Sequence, residues 1–500
     1  MILRSGSRRH PNRVVVSCDS KQRTWQDLQE RSNRLANSMS GIGVEKGDRV
    51  VVILPNGIEL LELMFAVPKA GAIFVPLNPA SIGPELSKVL AGCSPRVVVA
   101  SAAVISRIVE SGGPGFGEGN LFVPVSTDLD RHALPVMGYE PLLESGARDW
   151  CAPPDRSDLD CWLLAYTSGT TGEPKGVCLS HRSKTLCAMV EALEYGSTSA
   201  DRVLVNTPMC HAHALVHALS SMSVGGSITI TERFDPLETL GIIEREAISE
   251  VSMVPAMYRR VLEPGAEARR SMSSLRIARS TGAALDENLR AEIMDVLPDG
   301  AFNLLYGATE AGPISRFQPD GALDKAGSVG LPFMGVELEI RDADGCALEA
   351  GIEGEVFLRS AYIFSGYYDN NEGDGSGNYE RWITLGDIGA VDEDGFLFLS
   401  GRNRDFIISG GENVATMEVE RVLTEHPGVA EAAVIGVSSD RWGESITAFV
   451  AMRDGCTATQ GEIKTYCRSN LAPFKCPKEI AFVDALPRDG MGKVRKRELQ

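Results

Sequence analysis

The 500-residue chain lacks any apolar run long enough to span a bilayer; its best, Val50-Val51-Val52-Ile53-Leu54, stops at Pro55. Arg4, Arg8 and Arg9 near the N-terminus have no apolar stretch behind them, so nothing there reads as a secretory signal. None of the 11 cysteines forms a C-x-x-C pair, which argues against a zinc knuckle and a disulfide framework. Reduced thiols in the cytoplasm are the expectation. Positive charge is short: 49 Lys and Arg against 67 Asp and Glu leave a net charge of −18. Such a surface repels phosphate backbones and anionic lipid, so neither nucleic acid nor a membrane is an expected partner. With 51 Gly and 26 Pro the chain falls short of low-complexity composition, which excludes a fibrous or largely disordered protein. What remains is ordinary globular composition, 43% hydrophobic and 23% charged, in a chain too long for one core.

Apolar runs alternate with helical stretches up to about residue 400. Arg49 to Leu54 reads as a buried strand, and Leu60, Leu61, Leu63, Met64 and Val67 then recur at helical spacing. Further strands are expected at 72–76, 96–100, 227–230 and 250–254. This alternation predicts an α/β fold, a large N-terminal domain of mixed and parallel sheets flanked by helices. Gly401-Arg402-Asn403-Arg404-Asp405 reads as a polar break. Beyond it, two helical and two strand patterns in roughly 95 residues suit a small α+β domain. The domains are placed at 1–401 and 402–500. Gly112 to Asn120 and Asp369 to Tyr379 read as surface loops.

Tyr166-Thr167-Ser168-Gly169-Thr170-Thr171-Gly172-Glu173-Pro174-Lys175-Gly176 follows the strand-like run Cys161 to Ala165. Gly169 and Gly172 let backbone N–H groups close on a polyanion, and Thr167, Ser168, Thr170, Thr171 and Lys175 add donors. That chemistry suits a triphosphate. The segment is not a Walker A loop, because Gly176 follows Lys175 where Ser or Thr would stand.

This loop resembles that of the adenylate-forming superfamily, which includes acyl-CoA synthetases, adenylation domains and luciferases. The likeness recurs in order along the chain: Thr24-Trp25-Gln26-Asp27-Leu28, Gly47-Asp48-Arg49-Val50, Tyr306-Gly307-Ala308-Thr309-Glu310, Gly386-Asp387, Gly401-Arg402 and Gly490-Met491-Gly492-Lys493. It implies a luciferase-like N-terminal domain with a mobile C-terminal one. It also implies ATP-dependent conversion of a carboxylic acid to an acyl-adenylate, then transfer to coenzyme A. An amine acceptor, a carrier-protein thiol, or a catalytically silent ATP-binding regulator on this fold are the competing readings, and a homodimer is left open.

By resemblance, Thr167 to Lys175 hold the β- and γ-phosphates, Thr309 the α-phosphate and Glu310 a Mg²⁺ ion. Gly282, Ala283 and Ala284 lie against adenine with Tyr306 and Gly307 nearby, and Asp387 accepts the ribose hydroxyls with Arg402 beside it. Lys493 bridges the carboxylate and α-phosphate, supplying positive charge where it is needed most. Arg404 is the hinge, and Ser409, Gly410 and Gly411 line the acceptor channel. The sequence departs from the family at Leu385, where threonine is common, and around Thr416, where proline is frequent. Lys475 and Lys478 are candidate contacts for CoA phosphates.

Pro208-Met209-Cys210-His211 aligns with the family's Pro-x-x-His segment, making His211 the residue nearest the carboxylate. Met209, Cys210, Leu215 and Met253 suggest an apolar pocket for an aryl or acyl chain. No acidic residue lies between Asn206 and Gly226, which disfavours an α-amino acid. His211, His213 and His217 are read as lacking the four-residue spacing of helical zinc sites, so no zinc is expected.

Overall fold

The computed structural model describes residues 1–79, 84–110, 121–125, 136–150, 152, 155–168, 174–319, 325–368, 381–402, 406–409, 412–439, 443–471, 475–489 and 492–499. Among these, strands form sheets of 13, seven and five members. The seven-stranded sheet is built on Arg49–Ile53, Ile73–Pro76 and Val97–Ala100, which pair in parallel with Val50 opposite both Phe74 and Val97. These strands are almost wholly Val, Ile and Ala because helices cover both their faces, leaving no side for a polar residue. Cys161–Ser168 and Pro174–Ser180 extend the sheet as an antiparallel pair, edged by Gly366–Tyr367.

The largest sheet has a parallel half. Val14–Cys18, Ser227–Ile230, Arg202–Val205, Glu250–Met253, Ile277–Ser280 and Phe302–Ala308 lie side by side in that order. From Gly312–Phe317 outward the pairing turns antiparallel, ending at Val336–Arg341. One core cluster joins the two large sheets: Val15, Val50, Leu163 and Val205 share it with Leu61 and Leu215 of the helices Ile58–Ala70 and Ala212–Ser223. Truncating such a fully buried leucine to alanine costs about 2–5 kcal/mol.

The small sheet comprises Phe406–Ser409, Glu412–Ala415, Val429–Ser439, Gly443–Met452 and Glu479–Phe482. Helices Thr416–Thr424 and Gln460–Asn470 close it over Ile407, Val419, Leu423, Val434, Ile446 and Ile463. The second helix starts with a capping box, Thr459 and Glu462 satisfying each other's backbone N–H groups.

Three segments differ from the sequence reading. Cys161–Ser168 and Leu397–Arg402 run further as strands than their composition suggests, because each has a long partner to pair with. The hairpin of Phe406–Ser409 with Glu412–Ala415 carries no strong alternation and was not expected. Both glycine-rich stretches, 112–120 and 369–379, lie outside the described residues. No helix among the described residues is long and apolar enough to cross a membrane.

Candidate active site

Residues from four distant parts of the chain meet where the strand pair Cys161–Ser168 and Pro174–Ser180 ends. Thr167 stands opposite Lys175 in register, while 169–173, with Gly169, Thr170, Thr171 and Gly172, lie outside the described residues. The chain returns alongside this hairpin at 364–368. Tyr368 N–H donates to Gly176 O at 2.6 Å, Ser365 N–H to Cys178 O at 2.9 Å, and Phe364 N–H to Glu310 O at 2.7 Å. A β-carbon on Gly176 would lie 2.9 Å from Leu164 Cδ1, so only glycine lets these segments close.

Tyr367 then links the two charged groups. Its hydroxyl donates to Glu310 Oε1 at 3.1 Å, and Lys175 Nζ lies 5.3 Å from its ring centre. Burial, then the Glu310 charge, pushes the Tyr367 phenol up to about 12, so it stays a donor. The sequence reading missed this residue, because Glu310 is 57 positions away and no motif marks the pair. Tyr367→Phe is expected to cut kcat/KM for ATP roughly tenfold, as loss of a hydrogen bond to a charged group does. Steady-state pyrophosphate release checks it; an unchanged kcat/KM would mean the hydroxyl does not position Glu310.

The next hairpin, Phe302–Ala308 with Gly312–Phe317, is bulged between Tyr306 and Gly307. A β-carbon on Gly307 would sit 2.6 Å from Gly312 O, which explains glycine there. The bulge aims the Tyr306 hydroxyl at Asp387, to which it donates. Asp387 is only 5% exposed and faces Arg402 in register across Ile383–Val391 and Leu397–Arg402. Leu385 packs beside the core around Tyr362, and the Thr384 hydroxyl accepts from Gly386 N–H at 2.9 Å. A hydroxyl thus braces the Gly386-Asp387 turn although the family's threonine is absent. Thr309 is half-buried just after the strand, and Gly282, Ala283 and Ala284 are exposed beyond Ile277–Ser280.

His211 caps the helix Ala212–Ser223 without a side-chain cap bond, and its buried Nε2 has no hydrogen-bond partner. Burial lowers its pKa, and Asp489 pulls the other way. That influence comes from the small domain. Asp489 belongs to the lysine loop, closed by Asp489 N–H to Lys493 O and Lys493 N–H to Asp489 Oδ1, both at 2.9 Å. A β-carbon on Gly492 would lie 3.8 Å from Ala256 Cβ, so the loop rests on the helix Pro255–Leu262. The exposed residue Lys493 is thereby carried on a loop seated beside His211.

Met209 and Leu215 belong to one core cluster and Met253 to another, with Cys210 buried nearby. Between them the structure corrects the histidine reading. His213 and His217 lie four residues apart within one helix, their rings stacked at 6.3 Å. His213 Nε2 bonds the Ser252 hydroxyl at 2.7 Å, a pairing that orients it toward the strand. Burial pushes His213 down to about 3 and His217 well below its ordinary value, with Arg279 adding to both shifts. No cluster of three metal-ligating side chains occurs among the described residues.

Arg279 is itself fully buried. It pairs with Glu191 and, at 3.1 Å, with Glu250, and stacks 3.8 Å from the Tyr195 ring centre. Nothing in the local sequence marks it, since its partners lie on a distant helix and a neighbouring strand. Ser409 ends its strand, Arg404, Gly410 and Gly411 lie outside the described residues, and Lys475 is engaged by Glu418 at 2.6 Å.

A parallel sheet with charged and hydroxyl groups gathered beyond its strands' carboxyl ends, and a small domain laying a lysine loop over them, defines an adenylate-forming enzyme. The chain belongs to the AMP-binding enzyme family, which its residues 3–368 match, while residues 418–493 match the AMP-binding enzyme C-terminal domain. It is thus an AMP-forming ligase in the acyl-CoA synthetase branch of that superfamily. A feruloyl-CoA synthase of Amycolatopsis sp is 33% identical over 99% of this chain and 96% of its own. ATP-bound MatB from Rhodopseudomonas palustris superposes with a TM-score of 0.87 at 27% identity, over 100% of this chain and 97% of that one. The amide bond synthetase McbA from Marinactinospora thermotolerans gives 0.86 at 27% identity, over 100% and 98%.

Proposed function

We propose that the protein joins a hydrophobic aryl or acyl carboxylic acid to coenzyme A at the expense of ATP. A carboxylate oxygen attacks the α-phosphorus and the bond to pyrophosphate breaks, giving an acyl-adenylate. The CoA sulfur then attacks the acyl carbon, AMP leaves with the bridging oxygen, and the thiol proton passes to solvent. The first step joins two anions, so its catalysis is positioning and charge neutralisation.

In this reading Thr167, Ser168, Lys175 and the 169–173 loop bind the β- and γ-phosphates. Thr309 binds the α-phosphate. Asp387, oriented by Tyr306 and with Arg402 beside it, accepts the ribose hydroxyls, and Gly282, Ala283 and Ala284 leave space for adenine. Glu310, a half-buried carboxylate with one hydroxyl donor, fits a hard cation that takes few protein ligands, and a bound Mg²⁺ would neutralise phosphate charge. Lys493 brings its ammonium to the junction of the reactants, beside His211. Met209, Cys210, Leu215 and Met253 would form the apolar side of the acid pocket. The domains meet at 401/402, and rotation about Arg404 would exchange Lys493 for the Ser409-Gly410-Gly411 channel.

The observation that carries this reading is the lysine loop of the small domain seated against the helix that follows Met253, within electrostatic reach of His211. The CoA acceptor draws support from the feruloyl-CoA synthase likeness, and the McbA likeness keeps an amine acceptor as the second reading. Purified protein given ATP, Mg²⁺ and a panel of carboxylic acids is expected to release pyrophosphate only when an accepted acid is present. AMP release should then accelerate with CoA. Acceleration by amines alone would replace the acceptor, and acid-independent ATP turnover would contradict the whole reading.

A further inference from the structure

We infer that the acid this enzyme activates carries a hydroxyl group remote from its carboxylate, read by a neutral polar wall of His217, His213 and Ser252. This rests on the proposed function for the location of the acid pocket. That pocket lies at the start of the helix Ala212–Ser223, where His211 faces the lysine loop, and beyond the carboxyl ends of the strands Glu250–Met253 and Ile277–Ser280. His213 and His217 follow from that point along one helix face. Ser252 faces them from one strand and stands in register with Arg279 on the next.

The chemistry of this wall narrows the ligand. His217 is 1% exposed and its Nε2 has no partner, a condition that burial makes costly and that a bound polar group relieves. A purely alkyl or unsubstituted aryl acid would leave that nitrogen unpaired. A second carboxylate would need a cation, but the nearest, Arg279, is already held by Glu191 and Glu250. The imidazoles beside it stay neutral at physiological pH. A hydroxyl satisfies the site in either histidine tautomer, because it both donates and accepts. Met209 and Leu215 on the same helix approach leave the rest of the surroundings apolar, which suits the body of a hydroxyaryl acid.

The test is a substrate series in which only one group changes: 4-hydroxycinnamic, cinnamic and 4-carboxycinnamic acids, with the matching benzoic acids, read as kcat/KM for pyrophosphate release. In at least one series the hydroxy acid is expected to exceed the unsubstituted acid by about 10- to 100-fold, the range of one buried hydrogen bond, and the dicarboxylate by more. His217→Leu should collapse that ratio to about one, while His217→Gln, which keeps a donor and an acceptor, should restore part of it. Because the ratio is taken within each variant, loss of folded protein does not affect it. Pyrophosphate release with equal ratios in the wild-type enzyme, or preference for the dicarboxylate, would overturn this inference and leave the proposed function standing. Silence with every acid would instead overturn the proposed function.

Discussion

Lys493→Ala is expected to lower adenylate formation by about 10³-fold or more while sparing most of the thioester formation from supplied acyl-adenylate. The lysine is carried by a loop of the small domain that rests against Ala256 and projects Asp489 toward His211. It is thus placed for the first half-reaction only. Attack of one anion on another builds negative charge at the α-phosphorus, and a positioned ammonium is worth most where that charge peaks. Once the adenylate exists, its carbonyl is attacked by a neutral or thiolate sulfur and the lysine has no further role. Single-turnover assays of each half separate the outcomes, and equal loss in both would contradict the rotating-domain account.

Arg279→Met is expected to be the most destabilising single change in the molecule's interior. It leaves Glu191 and Glu250 buried without their cation and removes the guanidinium stacked on Tyr195. Breaking such a buried pair costs about 3–5 kcal/mol. For a domain of this size that lowers the thermal midpoint by roughly 4–5 °C. The pH dependence has a definite sign. Burial raises both carboxyls above their ordinary values even against the pull of Arg279, and losing it raises them further. A carboxyl whose pKa is raised on folding binds a proton more tightly in the folded state, so stability rises as pH falls through that range. The defect of Arg279→Met should therefore shrink from pH 8 toward pH 5, as read by thermal melts. A defect that grows with acid would mean the carboxyls are not the unpaired groups.

These two residues mark the boundary of what the sequence shows. Lys493 was legible because its neighbours on the chain, Gly490-Met491-Gly492, form a motif whose order along the sequence repeats a known pattern. The same holds for Glu310 after Tyr306-Gly307-Ala308-Thr309, and for the apolar strands, whose Val and Ile runs follow from burial on both faces. Arg279 was not legible, since it reads as one charge in an ordinary strand and its partner Glu191 is 88 positions away. Tyr367 was hidden for the same reason. His213 and His217 were in plain sight at helical spacing. Their four-residue separation was passed over because attention fell on His211, and only the helix Ala212–Ser223 shows that they share a face.

The hairpin Phe406–Ser409 with Glu412–Ala415 was missed on different grounds. Its strands are short, its turn residues 410–411 were read for chemistry instead of geometry, and its pairing depends on the long strand Gly443–Met452 beside it. Local propensity is weakest where a neighbouring strand supplies the stability. Leu385 is a smaller example. It breaks the family pattern in sequence, yet Thr384 supplies a hydroxyl to the same turn and the leucine fills a gap by Tyr362.

The account as a whole depends on groups from both domains lowering the cost of bringing a carboxylate to a phosphate. Exchange of labelled pyrophosphate into ATP reports that step alone, without any acceptor. Exchange that requires an organic acid, is lost in Lys493→Ala and falls with Tyr367→Phe is the predicted result. Exchange that proceeds without acid, or that persists undiminished once the small domain's lysine is removed, would contradict it.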